Sequence, residues 1–136
     1  MNSTTEKMCS ILNKYLKKRF DYKTNPADIE FPHLVSAKRR SFDIYLRCSG
    51  NIVDWPEKTL VIARIYFKKQ RKGYGTDLVM FLASNAAELG YKYIGIEQAN
   101  EKCSAFAKKM RFLPYKNISN YNNTWLVGID NILAIR

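Results

Sequence analysis

Residues 60 to 89 read as an apolar strand, a basic loop with two glycines and an amphipathic helix, and few folds accept that order without a parallel sheet. Leu60 to Phe67 is apolar on both parities except for Arg64, the pattern of a central strand covered on both faces. Thr76 to Leu89 brings Leu78, Val79, Phe81, Leu82, Ala86 and Leu89 onto one wide helical face, and Gly90 is placed to cap it. Tyr91 to Glu97 is the next strand. Strand, crossover helix and strand should form one right-handed parallel unit.

The loop reads Gln70-Arg71-Lys72-Gly73-Tyr74-Gly75. Two glycines one residue apart let the backbone take φ > 0 and approach a ligand closely. The helix that follows has N–H groups without intrahelical partners and the positive end of its dipole there, which together suit a pyrophosphate. Lys68, Lys69, Arg71 and Lys72 crowd the same loop, so a polyanionic cofactor fits it. A Gly-x-Gly alone also marks ordinary turns. Leu78 stands where the dinucleotide fingerprint needs its third glycine, and no Gly-Lys-Ser/Thr follows, so neither of those nucleotide signatures is met.

What matches is Gln/Arg-x-x-Gly-x-Gly/Ala directly after a strand, and in this the chain resembles the GNAT family of acyl-CoA N-acyltransferases. A second segment, Asn100 to Phe112, keeps the family's spacing of Asn100, Phe106, Met110 and Phe112 without a gap. It departs from the family at Ala107, where a tyrosine is common, at Arg111, where a glycine is, and at Phe67, where a proline is. The resemblance covers Leu60 to Tyr115. It implies a mixed β-sheet flanked by helices, an α/β fold of the acyl-CoA N-acyltransferase kind, here with a shortened N-terminal arm.

With 136 residues the chain is one domain's worth, 1–136, enough for a single core. Apolar residues make up 46% and are spread along the chain, so neither disorder nor a disulfide scaffold is called for. No apolar run reaches membrane-spanning length and no leader pattern opens the chain, which points to a cytoplasmic protein without a membrane partner. Cys9, Cys48 and Cys103 share no metal-ligand spacing and read as buried thiols. His33 is the single histidine, so no metal site is expected. The net charge of +11 predicts attraction to polyanions. It is met either by a solvated basic surface beside a phosphate-bearing ligand, or by a nucleic-acid or acidic protein partner; Lys17, Lys18, Arg19 and Lys38, Arg39, Arg40 lie away from the loop.

Ser3-Thr4-Thr5-Glu6 fits a capping box for a first helix with Met8, Ile11, Leu12, Tyr15 and Leu16 on its packed face. Ile29 to Val35 reads as a strand, and Arg40 to Cys48 as another with Phe42, Ile44, Leu46 and Cys48 inward, turned by Ser49-Gly50-Asn51. A helix from Glu101 to Met110, a strand from Phe112 to Lys116, an Asn-rich loop and a last strand from Trp125 to Ile129 complete the pattern.

The resemblance implies acetyl-CoA as cosubstrate, with its pantetheine along Ile65, Tyr66 and Phe67. Gln70, Arg71, Lys72, Gly73, Tyr74, Gly75 and Thr76 would surround the pyrophosphate, and Asn100 and Phe106 would complete the cofactor site. Asn100 also reads as a helix cap. The reaction implied is acetyl transfer to an amine, which needs a base for the ammonium and an acid for the thiolate. Glu97 is the candidate base, on the strand face shared with Gly95, a position where some family members carry a catalytic Glu; it equally reads as a solvated strand-end carboxylate. Ala107 cannot serve as the acid, which leaves Ser104, Tyr115 and Tyr121 as substitutes. The acceptor is open: an acidic protein or an RNA-linked amine fits the charge, as does a binding protein of the same fold without efficient catalysis, or a nucleic-acid-binding module.

Overall fold

The computed structural model describes residues 3–30, 33–48, 55–70, 72–97, 100–115 and 124–135. The chain begins with α1 (Thr4–Phe20), whose capping box forms: the Ser3 side chain accepts from the Glu6 N–H and the Glu6 carboxylate accepts from the Ser3 N–H. The single strand expected from Ile29 to Val35 is instead two, β1 (Ala27–Glu30) and β2 (Leu34–Arg39), which pair antiparallel with Ile29 opposite Val35. The connection at 31 and 32 lies outside the described residues. In the sequence the apolar residues either side of Pro32 read as one run, although proline disfavours a continuous strand. The turn read at Ser49 to Asn51 also lies outside the described residues.

β3 (Phe42–Arg47) follows, with Phe42, Ile44 and Leu46 buried and the alternate residues half-buried, as its alternation requires. The strand, helix and strand expected from Leu60 to Glu97 form as β4 (Thr59–Phe67), α2 (Tyr74–Glu88) and β5 (Tyr93–Ile96), and β4 and β5 are parallel. Gly90 takes φ 95° just past α2, the left-handed conformation that glycine adopts without a Cβ penalty. α3 (Glu101–Lys109) is capped by the Asn100 side chain, which accepts from the Cys103 N–H at 2.8 Å. β6 is short (Leu113–Pro114), and β7 (Trp125–Gly128) ends where α4 (Ile129–Leu133) begins. That last helix is absent from the sequence pattern, because five residues are too few to show a period.

The seven strands form one mixed sheet in the order β1-β2-β3-β4-β5-β7-β6. All four helices place apolar side chains into one core against it, among them Leu12, Leu82, Ala107 and Ile132. A second, smaller cluster joins Trp55, Val61, Tyr115 and Leu126. Val61, Gly95 and Leu126 are register partners across β4, β5 and β7, so this cluster forms over one row of adjacent strands. Among the described residues no helix is long and apolar enough to cross a membrane.

Candidate active site

The site starts from a fault in strand pairing. The β3–β4 register shifts at Tyr45/Leu46: Tyr45 faces Arg64 while Leu46 faces Ile62, leaving Ala63 as an extra residue in β4. β4 pairs with β5 only from Thr59 to Ile62, the Glu97 N–H adds a bond to the Ile62 carbonyl at 3.2 Å, and β4 then runs on to Phe67 with no strand on that side among the described residues. β4 is thus covered on both faces only through Ile62, not along its whole length as the sequence suggested.

The ladder decides which backbone groups face the gap. Lys68 N–H bonds the Ser41 carbonyl at 2.9 Å, so the alternation of an antiparallel ladder turns the N–H and C=O groups of Ile65 and Phe67 away from β3 and toward the split. The Gln70 amide reaches back to donate to the Phe67 carbonyl, folding the loop onto the strand end.

Beyond the strand, Gly73 is the N-cap of α2 at φ 77°, and no side chain caps that end. A Cβ at Gly73 would meet nothing within 4 Å, so the glycine is required by its backbone angle and not by crowding. Gly75 answers to packing: a Cβ there would lie 3.4 Å from the Phe106 ring on α3. Asp77, the acid in the first turn of α2, is taken up by α1, where Arg19 Nε donates to it at 3.2 Å and the Tyr15 hydroxyl donates to the same oxygen. Burial first, then Asp77, raise the Tyr15 hydroxyl well above its ordinary pKa, so it stays a donor.

These elements enclose a cleft of about 440 Å³. Ile65, Tyr66 and Phe67 supply one wall. Gln70, Lys72, Gly73, Tyr74, Gly75 and Thr76 supply the loop and helix end, and Asn100 and Phe106 close it from α3. Arg71 lies outside the described residues. The cleft therefore gathers every other residue that the sequence assigned to the cofactor. It also takes in Lys69, one of the loop lysines already read as suiting a polyanionic ligand, and Lys102, Cys103 and Lys109, which were not assigned and which with Phe106 recur on one side of α3. That recurrence was legible as helical spacing. Burial raises the Cys103 thiol pKa, so it stays protonated. Tyr74 is held from behind by Phe20 and Phe67 at 5.0 and 5.5 Å and by Arg19, 4.7 Å above its ring.

The three catalytic candidates do not come together there. Glu97 follows β5 where the strands part; its carboxylate accepts from Arg47 Nε at 3.1 Å, with the second guanidinium nitrogen at 3.0 Å, and its side chain is only 9% exposed. It is not the solvated strand-end carboxylate that the sequence also allowed. Ser104 lies on α3, where its hydroxyl accepts from Trp125 Nε1 at 3.3 Å. Tyr115 stacks on Trp55 at 5.2 Å. None of the three lines the cleft. Tyr121 and Gln98 lie outside the described residues. Ala107, where the resemblance implied a tyrosine, is fully enclosed in the main core.

No family model and no curated protein matches the sequence. Among solved structures the chain is similar to AtaTR bound with AcCoA (18% identity, 85% of this chain and 73% of that one, TM-score 0.54) and to the KacTA–DNA complex (18%, 93% and 82%, 0.53). It is also similar to Tetrahymena GCN5 (15%, 90% and 87%, 0.52). At these identities the likeness is one of architecture: the chain has the GNAT acyl-CoA N-acyltransferase fold, a mixed sheet with helices packed on it.

Proposed function

We propose that this protein is an acetyl-CoA-dependent N-acetyltransferase acting on an amine. The observation that carries the proposal is the split of β4 from β5 beyond Ile62, which opens beside the uncapped N-terminus of α2. The split offers strand-like pairing to the amides of a pantetheine arm, and the helix end offers N–H groups and positive potential to a pyrophosphate. Lysines along the rim add charge of the right sign. The AtaTR structure bound with AcCoA supports the choice of donor.

Transfer requires a neutral amine to attack the thioester carbonyl, forming the C–N bond as the C–S bond breaks. The ammonium must first lose a proton, and Glu97, held by Arg47 where the strands part, is our candidate to accept it, directly or through water, although it does not line the cleft. The departing thiolate, whose thiol has an ordinary pKa near ~8.5, tolerates leaving without a dedicated acid. The +11 charge favours a polyanionic or acidic carrier of the amine.

A second reading, a protein that binds acetyl-CoA without efficient transfer, is favoured by Ala107 and by the absence of Glu97, Ser104 and Tyr115 from the cleft lining. Calorimetric titration separates the cases. Acetyl-CoA should bind the parent, and Gly73→Glu should abolish binding, because it strains a φ of 77° and sets a carboxylate where the phosphates lie. Equal affinity in both would remove the site. Glu97→Gln should leave affinity nearly unchanged and slow transfer roughly 10²-fold or more; parental turnover would exclude Glu97, and tight binding without transfer to any amine, peptide or aminoacylated RNA would make this a binding protein.

A further inference from the structure

The cleft is more basic than a pyrophosphate alone requires. Lys69 and Lys72 stand on the loop side, beside the α2 N-terminus, while Lys102 and Lys109 stand on α3 across from them. The two α3 lysines are seven residues apart, close to two full turns, so they share a helix face about 10.5 Å apart along the axis. Cys103 and Phe106 occupy the same face between them. Among the described residues no carboxylate lines the cleft: Asp77 is committed to Arg19 and Tyr15, and Glu101 does not reach it. Among the described residues none of the four lysines takes part in an ion pair. All four are exposed to solvent, so their mutual repulsion is screened, but together they make the cleft a basic surface suited to a polyanionic ligand.

The ligand proposed above has that charge in two places. Its pyrophosphate carries about two negative charges, which the α2 N–H groups and the loop lysines meet. Its ribose 3′-phosphate is a monoester and carries about 1.5 to 2 more. We propose that Lys102 and Lys109 on α3 hold the 3′-phosphate of CoA and make the protein selective for CoA over its 3′-dephospho form. This rests on the acetyl-CoA reading and adds to it a specificity device on a different element.

Calorimetric titration of the full chain with acetyl-CoA and with acetyl-3′-dephospho-CoA tests it. The parent should bind the dephospho compound roughly tenfold or more weakly, since a charge-assisted contact is lost. The double variant Lys102→Gln, Lys109→Gln should bind acetyl-CoA that much more weakly while keeping its affinity for the dephospho compound, so discrimination disappears. Lys14→Gln with Lys17→Gln on α1, outside the cleft, removes the same net charge and should leave discrimination intact. Equal affinity of the parent for both compounds overturns the assignment, as does equal weakening of both in the double variant, which would mark general electrostatics. If a folded parent bound neither compound, the acetyl-CoA reading itself would fall with it.

Discussion

At Gly95 an added Cβ would sit 2.3 Å from the Trp55 ring, so no side chain fits there. Some proteins of this fold carry a catalytic Glu at the matching position, and here an indole fills the space instead. The carboxylate nearest in sequence is two residues on, at Glu97. Ala107 follows similar logic. Matched by spacing alone it looks like a vacancy for a proton-donating tyrosine, yet it is fully buried among core side chains. Ala107→Tyr should therefore overpack the core, lowering stability by about 1–3 kcal/mol in chemical denaturation without raising turnover; a folded variant of parental stability and faster transfer would reverse that conclusion. The glycines, Gln70 and the loop lysines were legible in the sequence because their arrangement is local. Arg47 and Trp55 were not, because their partners lie 50 and 40 residues further along the chain, at Glu97 and Gly95.

Elements with a long period were readable, and those set by tertiary pairing were not. α1 with its capping box, α2 and the strands either side of it followed from spacing, while the β1–β2 hairpin, the extra residue in β4 and the five-residue α4 did not. The end of α3 falls between. Arg111, just past its C-cap Met110, is held at φ 69°, at the position where the resemblance implied a glycine. The left-handed conformation costs a residue with a Cβ about 1–2 kcal/mol, and glycine returns part of that gain through its freer unfolded chain. Arg111→Gly should stabilise the protein by roughly 0.5–1 kcal/mol, read as a higher denaturation midpoint at unchanged slope. A lower midpoint would mean that the arginine side chain makes a compensating contact.

On the scale of the molecule, one core ties the helices to the sheet, and a titratable pair sits inside it. The Tyr91 hydroxyl donates to the Cys48 carbonyl, and both side chains are buried. Burial, then neighbouring Cys9, pushes the Cys48 thiol from its ordinary 9.0 up to about 12. Because the folded value lies above the unfolded one, the contribution is complete below pH 9 and is lost as the pH rises toward 12. The melting temperature should fall across that window, and Cys48→Ala should flatten the fall; an identical slope in the variant would assign alkaline unfolding to other groups. The same scale shows what the parted strands mean for the life of the protein. Among the described residues β4 beyond Ile62 is a strand edge in the middle of a sheet, and strand edges adhere to other chains. A ligand lying along it doubles as a temporary neighbouring strand, worth about 2.7 kcal/mol at a hundredfold excess over its dissociation constant. If the acyl donor proposed above is that ligand, its supply would set how long this edge stays covered.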